Sequence, residues 1–154
     1  MLLKAKQADL KDFSYKSEAF AKQDLVILYL FSIDGNFFDM NQLNDFLINY
    51  GFQKNEDFFS IYDNDIEKFR LANALKPGTL YEDTQTQALL LATDLAAQEN
   101  ATDNVEDLLR FATKFCEKIH ANICDSERQP LSAESIKDLK MRASRYLLND
   151  EESS

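Results

Sequence analysis

The sequence has no tryptophan, one histidine, two cysteines, two prolines and three glycines in 154 residues. Each scarcity removes a class of chemistry. With glycines only at 35, 51 and 78, neither a phosphate-cradling P-loop nor a GxGxxG dinucleotide turn can be written. His120 has no second imidazole with which to build a metal pair, and it is the sole imidazole available as a base for a serine or cysteine nucleophile. Its place at the end of a helical pattern favours a surface residue stabilised by the helix dipole. Cys116 and Cys124 stand with no other soft ligand beside them. They fit neither a zinc set nor a redox CxxC pair, and are expected as reduced, packed thiols.

Positive charge is scarce as well. Seventeen Lys and Arg face 27 Asp and Glu, for a net charge of −10. A binder of nucleic acid or of an anionic membrane surface would carry the opposite balance. The longest apolar run, Leu25 to Phe31, falls far short of the roughly 20 residues a membrane span needs. The opening "MLLKAKQADLKDF" lacks a secretory h-region, so membrane attachment is expected only through a partner or through further sequence. Acids are plentiful, but "YDNDIE" lacks the EF-hand pattern and reads as a solvated turn. Glu56/Asp57 and Glu82/Asp83 could flank a cleft as a carboxylate pair, the enzymatic alternative. That alternative requires a deep polar pocket with a strongly perturbed carboxylate. No cofactor motif or catalytic constellation is present, and a non-enzymatic role is expected.

What remains is globular: 45% hydrophobic and 12% aromatic residues, with twelve Phe. Residues 1–22 read as a linker or arm, 23–149 as one domain, and 150–154 as a frayed tail. "DLVILYLF" (24–31) is apolar in both phases, as in a central strand. Asp39 N-caps a helix carrying Met40, Leu43, Phe46, Leu47 and Tyr50, which Gly51 ends. "FFSIY" (58–62) and "EKFRLANA" (67–74) form a hairpin, followed by a Lys76-Pro77-Gly78 turn. "QALLLATDL" (87–95) reads as a strand from its turn context, although Ala and Leu also suit a helix. A second helix covers 102–120, and a short hairpin covers 121–131. Ser132 caps a third helix with Ile136, Leu139, Ala143, Tyr146 and Leu147 inward. The predicted class is α+β: a six-stranded antiparallel sheet with three helices on one face.

"LANALKPGTL" (71–80) resembles the central strand and turn of the ZipA C-terminal domain family, which binds the bacterial division protein FtsZ. The helix ending "NYGF" before "SIY", the "NICD" strand and "ERQPLSAESIKDL" follow in matching order, so that the likeness covers about residues 23–148. It implies a split β-α-β fold whose uncovered sheet face carries a shallow apolar groove for the FtsZ C-terminal tail. The implied partner is thus that tail, bound by a monomer, with no nucleic acid and no cofactor. The implied location is the cytoplasmic face of the bacterial inner membrane at the septum, through an anchor outside this chain. By position, the resemblance lines the groove with Leu25, Ile27, Phe59, Ile61, Ala72, Ala74, Lys76, Leu90 and Ala92. Ala74 and Ala92 stand where the family usually has bulky Met and Phe. The small side chains at 72 and 74 then floor a furrow expected to be open to water, with Lys76 available for a tail carboxylate. A homodimer across the bare face is the other interaction such a surface would allow.

Overall fold

A computed structural model describes residues 22–153; the expected arm (1–22) falls almost wholly outside the described residues, as does Ser154. Strand β1 (Leu25–Ser32) lies inside the sheet, antiparallel to β5 (Ala88–Asp94) on one side and β6 (Ala121–Cys124) on the other. With β2 (Gln53–Lys54), β3 (Phe59–Asp63) and β4 (Ile66–Asn73), the order is β2-β3-β4-β5-β1-β6. The 87–95 segment is therefore a strand. Its neighbours on both sides make every residue of β5 buried, which turn context alone signals and Ala/Leu propensity does not.

The six strands are not quite the six expected. The 121–131 hairpin contributes β6 alone, its return arm reduced to a bridge between Cys124 and Pro130. The sixth member is instead β2, two residues paired with Ser60 and Phe59. Proline has no N–H to continue a ladder, which limits the return arm.

Helices α1 (Met40–Tyr50), α2 (Ala101–Ile119) and α3 (Ala133–Ser153) pack on one face. Asp39 caps α1, its Oδ1 accepting from the N–H groups of Asn41 and Gln42, and Gly51 ends it at φ 122°, a conformation that favours glycine. Asn100 caps α2 through the Asp103 N–H, and Ser132 caps α3 through the Ser135 N–H. No glycine or proline follows Ser132, and α3 is assigned as one helix to Ser153. Leu147, expected inward, is exposed, because the inner face of α3 is carried by Ala143 with Leu139 and Tyr146.

The core centres on Phe111 of α2. Its ring lies 4.9 Å from both Tyr50 and Phe52, 5.8 Å from Phe69 and 5.8 Å from Phe115. At the far end, α3 is tied to the start of β1. Arg142 donates to Asp24 Oδ1 and to the Leu25 carbonyl (2.9 Å), and Tyr146 Oη donates to Asp24 Oδ2 at 2.6 Å. Both cysteines are free, and burial pushes the Cys116 thiol up to about 12.

Candidate functional site

In a pleated sheet, residues directly opposite on neighbouring strands share a face. Leu28 pairs with Leu91 and Leu91 with Leu71, and all three belong to the core under the helices. Tyr29 pairs with Leu90 and Leu90 with Ala72; Ile27 pairs with Ala92 and Ala92 with Arg70. This second set points the other way. It forms a separate apolar cluster of Tyr29, Ala74, Ala88, Leu90, Ala92 and Cys124, with Leu25, Ile27 and Phe31 against it, and no helical residue belongs to it.

The face therefore brings together Leu25, Ile27, Ala72, Ala74, Leu90 and Ala92, as expected from sequence. Phe59 and Ile61 are not there. Phe59 is opposite Leu71 and buried in the core, and Ile61 packs on that same core from opposite Phe69. The phase is one residue off, which in a strand exchanges the faces. Phe58 and Ser60 take their places: the Arg70 guanidinium lies 4.1 Å from the centre of the Phe58 ring, and Ser60 pairs with Arg70. Either phase of "FFSIYD" offers apolar residues, and the demand of the helical core settles which one turns inward.

The alanine floor is also less open than expected. Ala72 is 8% exposed, Ala74 3%, Leu90 1% and Ala92 0%. None of these methyl groups lies beneath the helices, yet none is freely wetted. Ala74, Ala88 and Ala92 cluster with Leu90 and Tyr29, and Ala72 stands opposite Leu90 on β4. Tyr29 stacks on Phe31 at 5.9 Å, and its buried hydroxyl has no hydrogen-bond partner among the described residues.

Two polar features that sequence reasoning missed frame this face. At one end a bulge in β4 breaks the alternation: Ile61 pairs with Phe69 but Tyr62 with Glu67, which leaves Lys68 unopposed. Lys68 turns toward α2 and pairs with Asp107 at 2.7 Å. Glu67 is thereby placed beside Arg70, which donates to it twice, at 2.8 and 2.9 Å, while Ser60 donates to Glu67 Oε2. At the other end the Arg128 guanidinium lies 5.6 Å from the centre of the Tyr29 ring. The only advance signals were the reversed spacing of "IEKFRLA" and the two arginines themselves.

Lys76 stands exposed in the turn beyond Ala74. Asn73 fixes that turn: its side chain donates to the Thr79 carbonyl (3.1 Å) and accepts from the Leu75 N–H (3.0 Å) and Thr86 Oγ1 (2.8 Å). Gly78, at φ 91°, closes it on the Leu75 carbonyl. The "LAN-x-x-KPGT" string is thus a device that ends β4 and hands the chain to β5.

Of the acids of the enzymatic alternative, Asp57 and Glu82 both act electrostatically on Lys54. Asp57 accepts from Tyr81 Oη at 2.7 Å, and Glu56, Glu82 and Asp83 are exposed. A polar cavity of about 270 Å³ lies near Asp63, Gln98 and Asp107. Burial works to raise the Asp107 pKa, but Lys68 and Arg110 hold it below the usual value. Among the described residues no cluster of three metal-ligating side chains occurs, and no helix is long and apolar enough to cross a membrane.

A comparison with curated proteins finds no match. The family model described as "ZipA, C-terminal FtsZ-binding domain" matches residues 24–142, a span that takes in the whole sheet and the first half of α3. The chain belongs to the ZipA C-terminal, FtsZ-binding domain family.

Proposed function

We propose that this domain binds the C-terminal tail of FtsZ on the helix-free face of its sheet, without catalysis, and so helps to link FtsZ filaments to the inner membrane at the septum. The observation that carries the reading is the in-phase apolar surface of Leu25, Ile27 and Tyr29 on β1, Ala88, Leu90 and Ala92 on β5, and Ala72 and Ala74 at the end of β4. Apolar side chains of a partly helical tail would pack against this alanine-rich surface, which is recognition of a helix by an apolar face. The Tyr29 hydroxyl, buried and unpaired among the described residues, would gain a partner by donating to a peptide carbonyl. Lys76 at the rim suits a tail carboxylate. Affinity rests on a few apolar anchors set against association costs of about 4–15 kcal/mol, so the expected Kd is on the order of micromolar.

The test is a titration of a fluorescent FtsZ tail peptide against the protein. Ala72→Asp and Leu90→Asp, checked for folding by circular dichroism, should each weaken binding by at least about tenfold, since a charge would be desolvated against the peptide. Lys76→Glu should weaken it less, about two- to fivefold, as expected of a rim charge. Unchanged affinity in folded Ala72→Asp and Leu90→Asp would remove this face from the reading.

A further inference from the structure

The polar cavity of about 270 Å³ beside the β4 bulge is lined by none of the apolar residues that form the helix-free face. We propose that it takes a guanidinium group, carried by a small organic cation or by an arginine side chain of a partner. Asn104 Oδ1 is its buried acceptor, and Asp63, Glu99 and Asp103 are its counter-charges.

The first observation is an orphaned acceptor. Asn104 lines the cavity and is 2% exposed, and its Oδ1 is buried with no hydrogen-bond partner among the described residues. Its neighbours fix which way the amide is turned. Thr93 Oγ1 donates its proton to the Lys68 carbonyl and is left to accept, and Asn104 Nδ2 donates to it at 2.7 Å. Thr93 does not line the cavity, so the amide nitrogen is turned to the interior and the oxygen is the polar end left over. A buried acceptor without a donor is costly and uncommon in a folded protein.

The second observation is charge. Asp63, Glu99, Asp103 and Asp107 line the cavity against one cation, Lys68. Lys68 is already held by Asp107 at 2.7 Å. Gln98 Nε2 is engaged as well, by the Glu67 and Asp94 carbonyls, each at 3.0 Å. The carboxylates of Asp63, Glu99 and Asp103 have no ion pair among the described residues. The partial positive charge at the α2 N-terminus, about half a unit, offsets only a small part of theirs.

What the cavity lacks is a cationic donor. One water, with a share of about 30 Å³, would leave most of the space unused. Among the described residues no three acids converge as a metal site. A guanidinium spreads five N–H donors in one plane, so it can serve a buried carbonyl and exposed carboxylates at once. Because Asp63, Glu99 and Asp103 are exposed and screened, the expected Kd is on the order of millimolar.

The experiment titrates agmatine into the isotope-labelled full chain at constant ionic strength, with the Asn104 side-chain amide signals as the readout. Those signals should shift and saturate with agmatine. They should stay in place with tetramethylammonium, which is a cation without an N–H donor. Asp103→Asn should weaken agmatine binding about threefold. Glu106→Gln, at an exposed acid of the same helix outside the cavity, should leave it unchanged. A blocked Gly-Arg-Gly peptide that shifts the same signals would assign the group to a partner's arginine, and a response to agmatine alone would assign it to a free small cation. Asn104 signals unmoved by agmatine and by the peptide would overturn the proposal. So would equal shifts from tetramethylammonium, which would mean general attraction to an acidic surface, or equal losses in the two variants.

Discussion

The two faces of this sheet are made from the same strands and yet obey different rules. Toward the helices, β1, β4 and β5 present Val26, Leu28, Leu30, Phe69, Leu71, Leu89 and Leu91, all buried in the main core. Away from them, β5 and the residue after β4 present Ala74, Ala88 and Ala92 around Leu90, with Ala72 of β4 opposite Leu90. A face that only had to fold would gain by exchanging those alanines for valine or isoleucine, since β-branched side chains fill a pleated surface. Small residues at four neighbouring positions leave room for another element's side chains. One face is thus filled by large side chains under the helices, and the other, lined by small ones, is the surface on which we propose that the partner docks.

The contrast predicts unequal costs of truncation. Phe111→Ala should have the largest effect, about 3–5 kcal/mol of stability, because it removes the ring that joins Tyr50, Phe52, Phe69 and Phe115. Chemical denaturation would register it as a lower midpoint with little change in slope. Next comes a matched pair on one strand. Leu91→Ala, under the helices, should cost about 2–5 kcal/mol, as fully enclosed leucines do. Leu90→Ala, its neighbour on the opposite face, should cost about 1–2 kcal/mol, because its surroundings can settle into the gap, while tail binding weakens. Equal costs for the two would mean that both faces are ordinary core.

How far this could be read from sequence depended on what each segment had to satisfy. The caps at Asp39 and Ser132 and the stop at Gly51 were legible because local hydrogen bonding alone explains them. β1 was legible as central because it is apolar in both phases, a requirement of a strand with neighbours on both sides. The phase of β3 was not, since Phe58 and Phe59 are both aromatic and only the position of α2 decides which turns inward. The bulge at Lys68 was hidden for a similar reason: the residue follows Asp107, on a helix far along the chain. β2 is two residues long and its pattern carries no period, so it exists only through its pairing with β3. On the candidate face, the alanine floor and its partners on β1 and β5 came from the family resemblance, with each strand contributing alternate residues, whereas the Ser60–Glu67–Arg70 group and Arg128 emerge only once the register is known.

The smallest predicted effect lies at the junction of the two faces, where Asp24 joins α3 to the start of β1 just as the chain enters the helix-free side. Burial works to raise the Asp24 pKa, but the hydrogen bonds from Tyr146 and Arg142 outweigh it and hold the carboxyl below its usual value of 3.8. A depressed acid stabilises the fold above the unfolded pKa, and that contribution is lost as pH falls through the folded value. The tie should therefore be intact near neutrality, weaken as pH drops below about 4, and be absent once Asp24 is protonated. Asp24→Asn should lower stability at pH 7 by about 1 kcal/mol, a modest figure because Arg142 is 37% exposed and solvent screens the pair. The difference between parent and variant should then shrink on acidification. Thermal melts of both proteins between pH 7 and 3 would show this convergence; parallel curves across that range would mean that the carboxylate is not what fastens α3 to the start of β1.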